Sequence, residues 1–133
     1  MNVIVVPCLF DNYSYIIENE EIGEAAVVDP SEAWPIMREL EGRGLHLSTV
    51  LCTHHHRDHI GGIDDLCHEY KELDIVGFRG DERRLPRLNR PVDDGDSISV
   101  CGFSGSVLHT PGHTTGGVVY CFKDCLFTGD TLF

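Results

Sequence analysis

Apolar residues open the chain in short runs, Val3-Ile4-Val5-Val6, Tyr15-Ile16-Ile17 and Ala26-Val27-Val28, separated by Asp11-Asn12 and by the polar stretch 19–23. Runs of this length, rich in β-branched residues and bounded by turn formers, predict strands over 2–6, 13–18 and 24–29 in an antiparallel meander. Asp29-Pro30-Ser31 then stops the sheet and caps a helix predicted over 32–43, ended by Gly44. A buried strand follows at 47–52, then a helix at 63–71 after Gly61-Gly62, and a strand at 73–78. The remainder reads as strands over 92–100, 106–109, 117–122 and 125–128, mostly antiparallel. Strands with helices on the outside imply a layered α/β fold, and 133 residues without a linker or repeat imply one domain spanning 1–133. Trp34, Tyr13 and Tyr15 are expected in the core.

The polar positions that break this pattern most sharply lie just after the strand at 47–52. Thr53-His54-His55-His56-Arg57-Asp58-His59 places four histidines and one carboxylate in seven positions. Four imidazoles beside a carboxylate at the end of a buried strand need partners, and a divalent metal supplies them. In extended chain, residues i and i+2 point the same way, so His54 and His56 can grip one ion while His55 faces away, supporting the ligands from behind or in a structural role. Asp58 and His59, past a turn, can reach a second ion. Downstream, Pro111-Gly112 presents His113, and Asp130 ends the apolar strand Leu126-Phe127. Three histidines and an acid make a mononuclear site, two further ligands make room for a second ion, and an aspartate between them can bridge. Imidazole and carboxylate suit zinc, with iron or manganese possible.

The pattern His54-x-His56-x-Asp58-His59 with His113 and Asp130 resembles the metallo-β-lactamase superfamily of metal-dependent hydrolases. Phe10-Asp11-Asn12-Tyr13-Ser14-Tyr15, Val28-Asp29-Pro30, Thr53 to Gly62, and Phe127-Thr128-Gly129-Asp130-Thr131-Leu132-Phe133 are similar to glyoxalase II, the hydroxyacylglutathione hydrolases. That resemblance implies a metallo-β-lactamase fold, here part of an αββα sandwich. It implies that His54, His56 and His113 hold the first metal, that Asp58 and His59 hold the second, and that Asp130 bridges. It also implies hydrolysis of S-D-lactoylglutathione to D-lactate and glutathione, in which water activated to hydroxide between the metals attacks the thioester and Asp58 serves as the catalytic carboxylate.

The resemblance further implies a longer family sequence, with a third histidine for the second metal, more of the sandwich and a glutathione-holding domain lying past the position of Phe133. On that reading the second metal site is incomplete and the sheet strands keep an apolar face uncovered, which predicts self-association. Two rivals to the hydrolase are an iron-dependent persulfide dioxygenase of the same fold and a catalytically incomplete metal-binding fragment. His109, four residues before His113, matches no family ligand, and Arg57 stands where relatives often carry an aromatic residue.

Composition narrows the partners. Ten Lys and Arg against 22 Asp and Glu give a formal charge of −12, which disfavours nucleic acid and anionic membranes. No stretch is long and apolar enough for a membrane helix, and the N-terminus lacks a basic leader, so a cytoplasmic location is expected. The six cysteines show no C-x-x-C spacing and are expected reduced. Arg79, Arg83, Arg84, Arg87 and Arg90 read as a solvated surface, and Asp93-Asp94-Gly95-Asp96 as a turn before a strand. His46 and His68 stand alone and read as surface or structural groups.

Overall fold

The structure, a computed structural model, describes residues 1–130; Thr131-Leu132-Phe133, the end of the last motif above, lie outside the described residues. Strands β1 (Asn2–Cys8), β2 (Asn12–Asn19) and β3 (Glu24–Val28) form the expected meander. Helix α1 (Ala33–Arg43) then crosses back, so that β4 (His46–Leu51) pairs parallel to β3. The short α2 (Arg57–Ile60) and α3 (Ile63–Glu69) lead to β5 (Asp74–Phe78) and, after a 3-10 turn at Arg79–Asp81, to β6 (Arg90–Val92), both again parallel. Strands β7 (Ser97–Val100), β8 (Phe103–His109), β9 (Val118–Phe122) and β10 (Cys125–Phe127) make a second, antiparallel sheet in the order β10-β9-β8-β7.

The sequence of the first sheet explains its position. A parallel sheet is covered on both faces, and its strands are therefore apolar nearly throughout. In β3, Ala25 and Val27 face α1 and α3 with Ile36, Leu40, Ile63 and Leu66, whereas Ala26 and Val28 face the second sheet with Val107, Val118 and Tyr120. The layers are thus helices, mixed sheet, antiparallel sheet. Hydrogen bonds also tie the two sheets at the seam; the Tyr120 hydroxyl, for example, donates to the Cys52 carbonyl at 2.6 Å.

Several expectations are corrected. The apolar face expected to lie open is instead largely covered, since Ile17, Ala26, Val28, Val118 and Tyr120 are buried between the chain's own two sheets. Val3, Tyr15 and Ile17 of β1 and β2 pack against this inter-sheet cluster, whereas Val5 and Tyr13 remain about half exposed. Tyr13 therefore leaves the core, and Tyr15 is only half-buried, against Phe127. Trp34 is 56% exposed, with the Arg38 guanidinium over its ring. The run 92–100 is two strands in different sheets, because Gly95 at φ +83° and the Asp96 carboxylate, accepting from the Asp93 N–H, turn the chain between them. Helix α1 begins one residue later than expected, with no side-chain cap, since Asp29 and Ser31 bond elsewhere; α3 ends at Glu69, two residues early. The six cysteines are free thiols.

Candidate metal centre

The carboxyl ends of β3 and β4 lie side by side because the strands are parallel, and ligand sites of open α/β sheets form at such ends. Asp29 follows β3 and the segment 52–56 follows β4. From the second sheet, the loop after β8 brings His113 and the chain after β10 brings Asp130 to the same rim. The β4 exit is anchored by strand β9, through the Tyr120 hydroxyl on Cys52 and the Val118 N–H, which donates to the Thr53 carbonyl at 2.8 Å. Gly129 has φ +56°, and a Cβ there would overlap Thr53 Oγ1, so glycine alone lets Asp130 approach the histidine loop.

Asp29 organises the buried side of this rim, and the reading of the sequence assigned it no such role. Its carboxylate accepts from the Thr53 N–H at 2.8 Å, from the Thr53 hydroxyl at 2.6 Å and from His59 Nδ1 at 2.9 Å. With its proton given to Asp29, Thr53 Oγ1 can only accept, at 2.9 Å, from His54 Nδ1. Both histidines therefore carry hydrogen on Nδ1 and aim Nε2 inward, the arrangement by which a carboxylate orients metal-binding imidazoles. Asn12, also unassigned, donates Nδ2 to the Asp58 carboxylate at 3.1 Å. An acid directly after an apolar strand was the available signal for Asp29, the same signal that singled out Asp130.

At the centre, one oxygen of Asp130, Oδ2, faces three Nε2 atoms: His113 at 3.1 Å, His59 at 3.4 Å and His54 at 3.5 Å. The donor atoms of His54, His56, His113 and Asp130 all lie within 4.8 Å of one another. Asp58 Oδ2 is 3.4 Å from His59 Nε2, so the six expected residues converge. Asp29, His54 and His59 also group closely, but the Asp29–His59 contact is the orienting hydrogen bond already described. His54 Nε2 is buried without a hydrogen-bond partner. A bare imidazole nitrogen facing carboxylate oxygens sets acceptor against acceptor unless a cation lies between, so the donor set fits a divalent metal.

Electrostatics agree. Burial, with the neighbouring His59, pushes the His54 pKa down to about 4, which keeps its lone pair available. Burial opposes a charge on His59 too, but the Asp29 hydrogen bond and the charges of Asp29, Asp130 and Asp58 outweigh it and raise its pKa. Asp58 is held below the usual range because the Asn12 hydrogen bond and His59 outweigh its partial burial. His55 points away from the cluster, as expected, and His109 Nε2 bonds the Thr115 carbonyl at 2.8 Å, apart from the site. Beside Asp58, His59 and Asp130 opens a cleft of about 600 Å³ walled by Val3, Val5, Tyr13, Tyr15 and Phe127. Among the described residues no helix is long and apolar enough to cross a membrane.

Residues 9–133 match the family model of the metallo-β-lactamase superfamily. The chain is 41% identical over 135 residues to a hydroxyacylglutathione hydrolase of Pelagibacter ubique, covering all of this chain and 56% of that protein. It is also 41% identical over 134 residues to one of Cereibacter sphaeroides, covering 99% of this chain and 52% of the relative. The chain thus spans about half the length of the curated relatives it matches. Among solved structures, it superposes on the BLEG-1 B3 metallo-β-lactamase with TM-score 0.90 at 24% identity, over 99% of this chain and 73% of that one. It superposes on ETHE1 from Myxococcus xanthus with TM-score 0.80 at 31% identity, over the whole chain and 59% of that one. With the layered sheets, the convergent histidines and a family match from residue 9 onward, the chain belongs to the metallo-β-lactamase superfamily.

Proposed function

We propose that this chain carries the metal centre of a thioester hydrolase of the hydroxyacylglutathione hydrolase type, with S-D-lactoylglutathione as substrate. The observation that carries the reading is the single Asp130 oxygen facing three imidazole nitrogens beside an open cleft. The name shared by the 41%-identical relatives supports the hydrolase over the oxygenase alternative. His54, His56, His113 and Asp130 would hold one zinc ion, and Asp58, His59 and the shared Asp130 a second, less completely ligated one. Zinc bound there supplies a Lewis acid that brings the pKa of water towards neutrality.

The chain's own contribution is orientation and proton handling. Asp58, kept ionised and aimed by Asn12, can accept a proton from the attacking water as its oxygen bonds to the carbonyl carbon; the C–S bond then breaks and the thiolate leaves. Asp29 and Thr53 hold His54 and His59 in the tautomer that binds cations. Val5, Tyr13 and Phe127 offer apolar wall to the substrate and limit water around it. The expected outcome is zinc-dependent release of glutathione, lost on Asp58→Asn. Turnover indifferent to zinc, or oxygen uptake with glutathione persulfide in its place, would overturn the reading.

The same cleft supports self-association. Among the described residues the edges of β1 and β10 that flank it have no strand partner, and Val5, Tyr13 and Leu126 on its walls are exposed. At about 25 cal/mol per Å², each 100 Å² covered by a second copy is worth about 2.5 kcal/mol. Sedimentation velocity at micromolar concentration should show a dimer or larger species; a clean monomer that ignores a hydrophobic dye would refute this.

A further inference from the structure

Asp81 ends the 3-10 turn that follows β5, at the same rim as Asp29 and the histidine loop, and only 2% of its side chain is exposed. A buried carboxylate needs partners. One oxygen, Oδ1, lies 3.5 Å from the Arg84 guanidinium, but Oδ2 has no hydrogen-bond partner. His55 Nδ1 lies 3.6 Å from it, itself buried and without a partner. Two orphaned and complementary atoms a few tenths of an ångström beyond bonding distance form a pair that a small side-chain movement closes.

The position of this pair gives it meaning. His55 sits between the two expected ligands His54 and His56, on the opposite face of the same segment. Across from it, the Asp81 carboxylate lies against Gly116 so closely that a Cβ there would overlap it. Gly116 belongs to the loop between β8 and β9 that carries His113. Arg84, the other partner of Asp81, reaches the same loop through Thr115 Oγ1 at 3.2 Å. One buried carboxylate therefore touches the backs of both loops that deliver imidazoles to the centre.

We propose that Asp81 is a positioning residue of the metal centre: it takes the Nδ1–H of His55 and thereby fixes the segment bearing His54 and His56 against the loop bearing His113. This inference rests on the metal centre proposed above. Asp29 performs the comparable task for His54 and His59 from the first sheet; Asp81 performs it across the seam, for the ligands that come from different sheets.

The test uses the full chain, zinc titration against a competing chelator and the visible spectrum of the cobalt(II) form, with urea unfolding of the metal-free chain as the measure of folding. Loss of an orienting partner lowers metal affinity by about 10–100-fold. Asp81→Asn and His55→Ala are each expected to lower zinc affinity within that range and to change the cobalt spectrum. Their double variant should lose no more than either alone, and His55→Gln, which restores an N–H donor, should recover the affinity. If Asp81→Asn fails to fold, His55→Ala and His55→Gln carry the comparison by themselves. Wild-type affinity and spectrum in His55→Ala, or losses that simply add in the double variant, would overturn the proposal. Absence of zinc binding by the unaltered chain would instead overturn the metal centre itself.

Discussion

His54 and His59 are gripped from behind, each Nδ1 tied through Thr53 or directly to the buried Asp29, whereas His113 and Asp130 arrive on a loop and on the chain after β10, each side chain about a third exposed. The first sheet thus presents His54 and His59 already oriented, while His113 and Asp130 of the second sheet face solvent and one another. The difference teaches where folding and metal binding are coupled. On the Asp29 side, hydrogen bonds that belong to the folded chain set the geometry. On the Asp130 side, the carboxylate and imidazole gain most from the cation they would share.

The comparison breaks most visibly at His54, which belongs to both close groups of donor atoms. His54→Ala should lower zinc affinity by more than the about 100-fold that loss of an orienting partner costs. Zinc titration by calorimetry of the unaltered chain should show one tight and one weak class of site; two equally tight sites would contradict the unequal ligand sets.

Asp29→Ala separates the halves by stability. It leaves the Thr53 N–H, the Thr53 hydroxyl and His59 Nδ1 without their acceptor, so urea unfolding of the metal-free chain should fall by about 3 kcal/mol. Asp130→Ala removes a partly exposed carboxylate and should change that stability by less than about 1 kcal/mol while it weakens zinc binding. Equal destabilisation by the two would erase the distinction.

The smallest effect is on protonation. In the metal-free chain at about pH 5.5 the His54 ring should be neutral and the His59 ring charged, read from imidazole nitrogen shifts. Because the folded His54 pKa is depressed from 6.5 to about 4, the unfolded chain binds a proton that the folded chain refuses, and this group costs stability as pH falls through that window. His59 has the opposite sign: its contribution is present below its ordinary pKa and is lost as pH rises through the raised folded value. A charged His54 at that pH would show that burial does not govern it.

Much of this was legible in the chain itself. Strand and helix periods marked the meander, α1 and the buried β4, and the histidine motif together with His113 and Asp130 named residues that converge in space. The failures came from long-range facts. Apolar runs do not say which end of a strand the other sheet covers, so Tyr13 read as core although it is Ile17 of the same strand that is buried between the sheets. The turn at Asp93-Asp94-Gly95-Asp96 was visible, but nothing local said that Val92 pairs in one sheet and Ile98 in the other. Asp81 is one acid in a charged stretch until the fold lays Gly116 against it.

Tyr120 adds an optical consequence. Its hydroxyl is buried on the Cys52 carbonyl, and burial raises its pKa far above the ordinary phenol range. Of the chain's four tyrosines, it should withhold its phenolate absorbance during an alkaline titration until the sheets part. The late rise in that band would time the opening of the seam between the sheets, the same seam across which the histidine loop and Asp130 must meet.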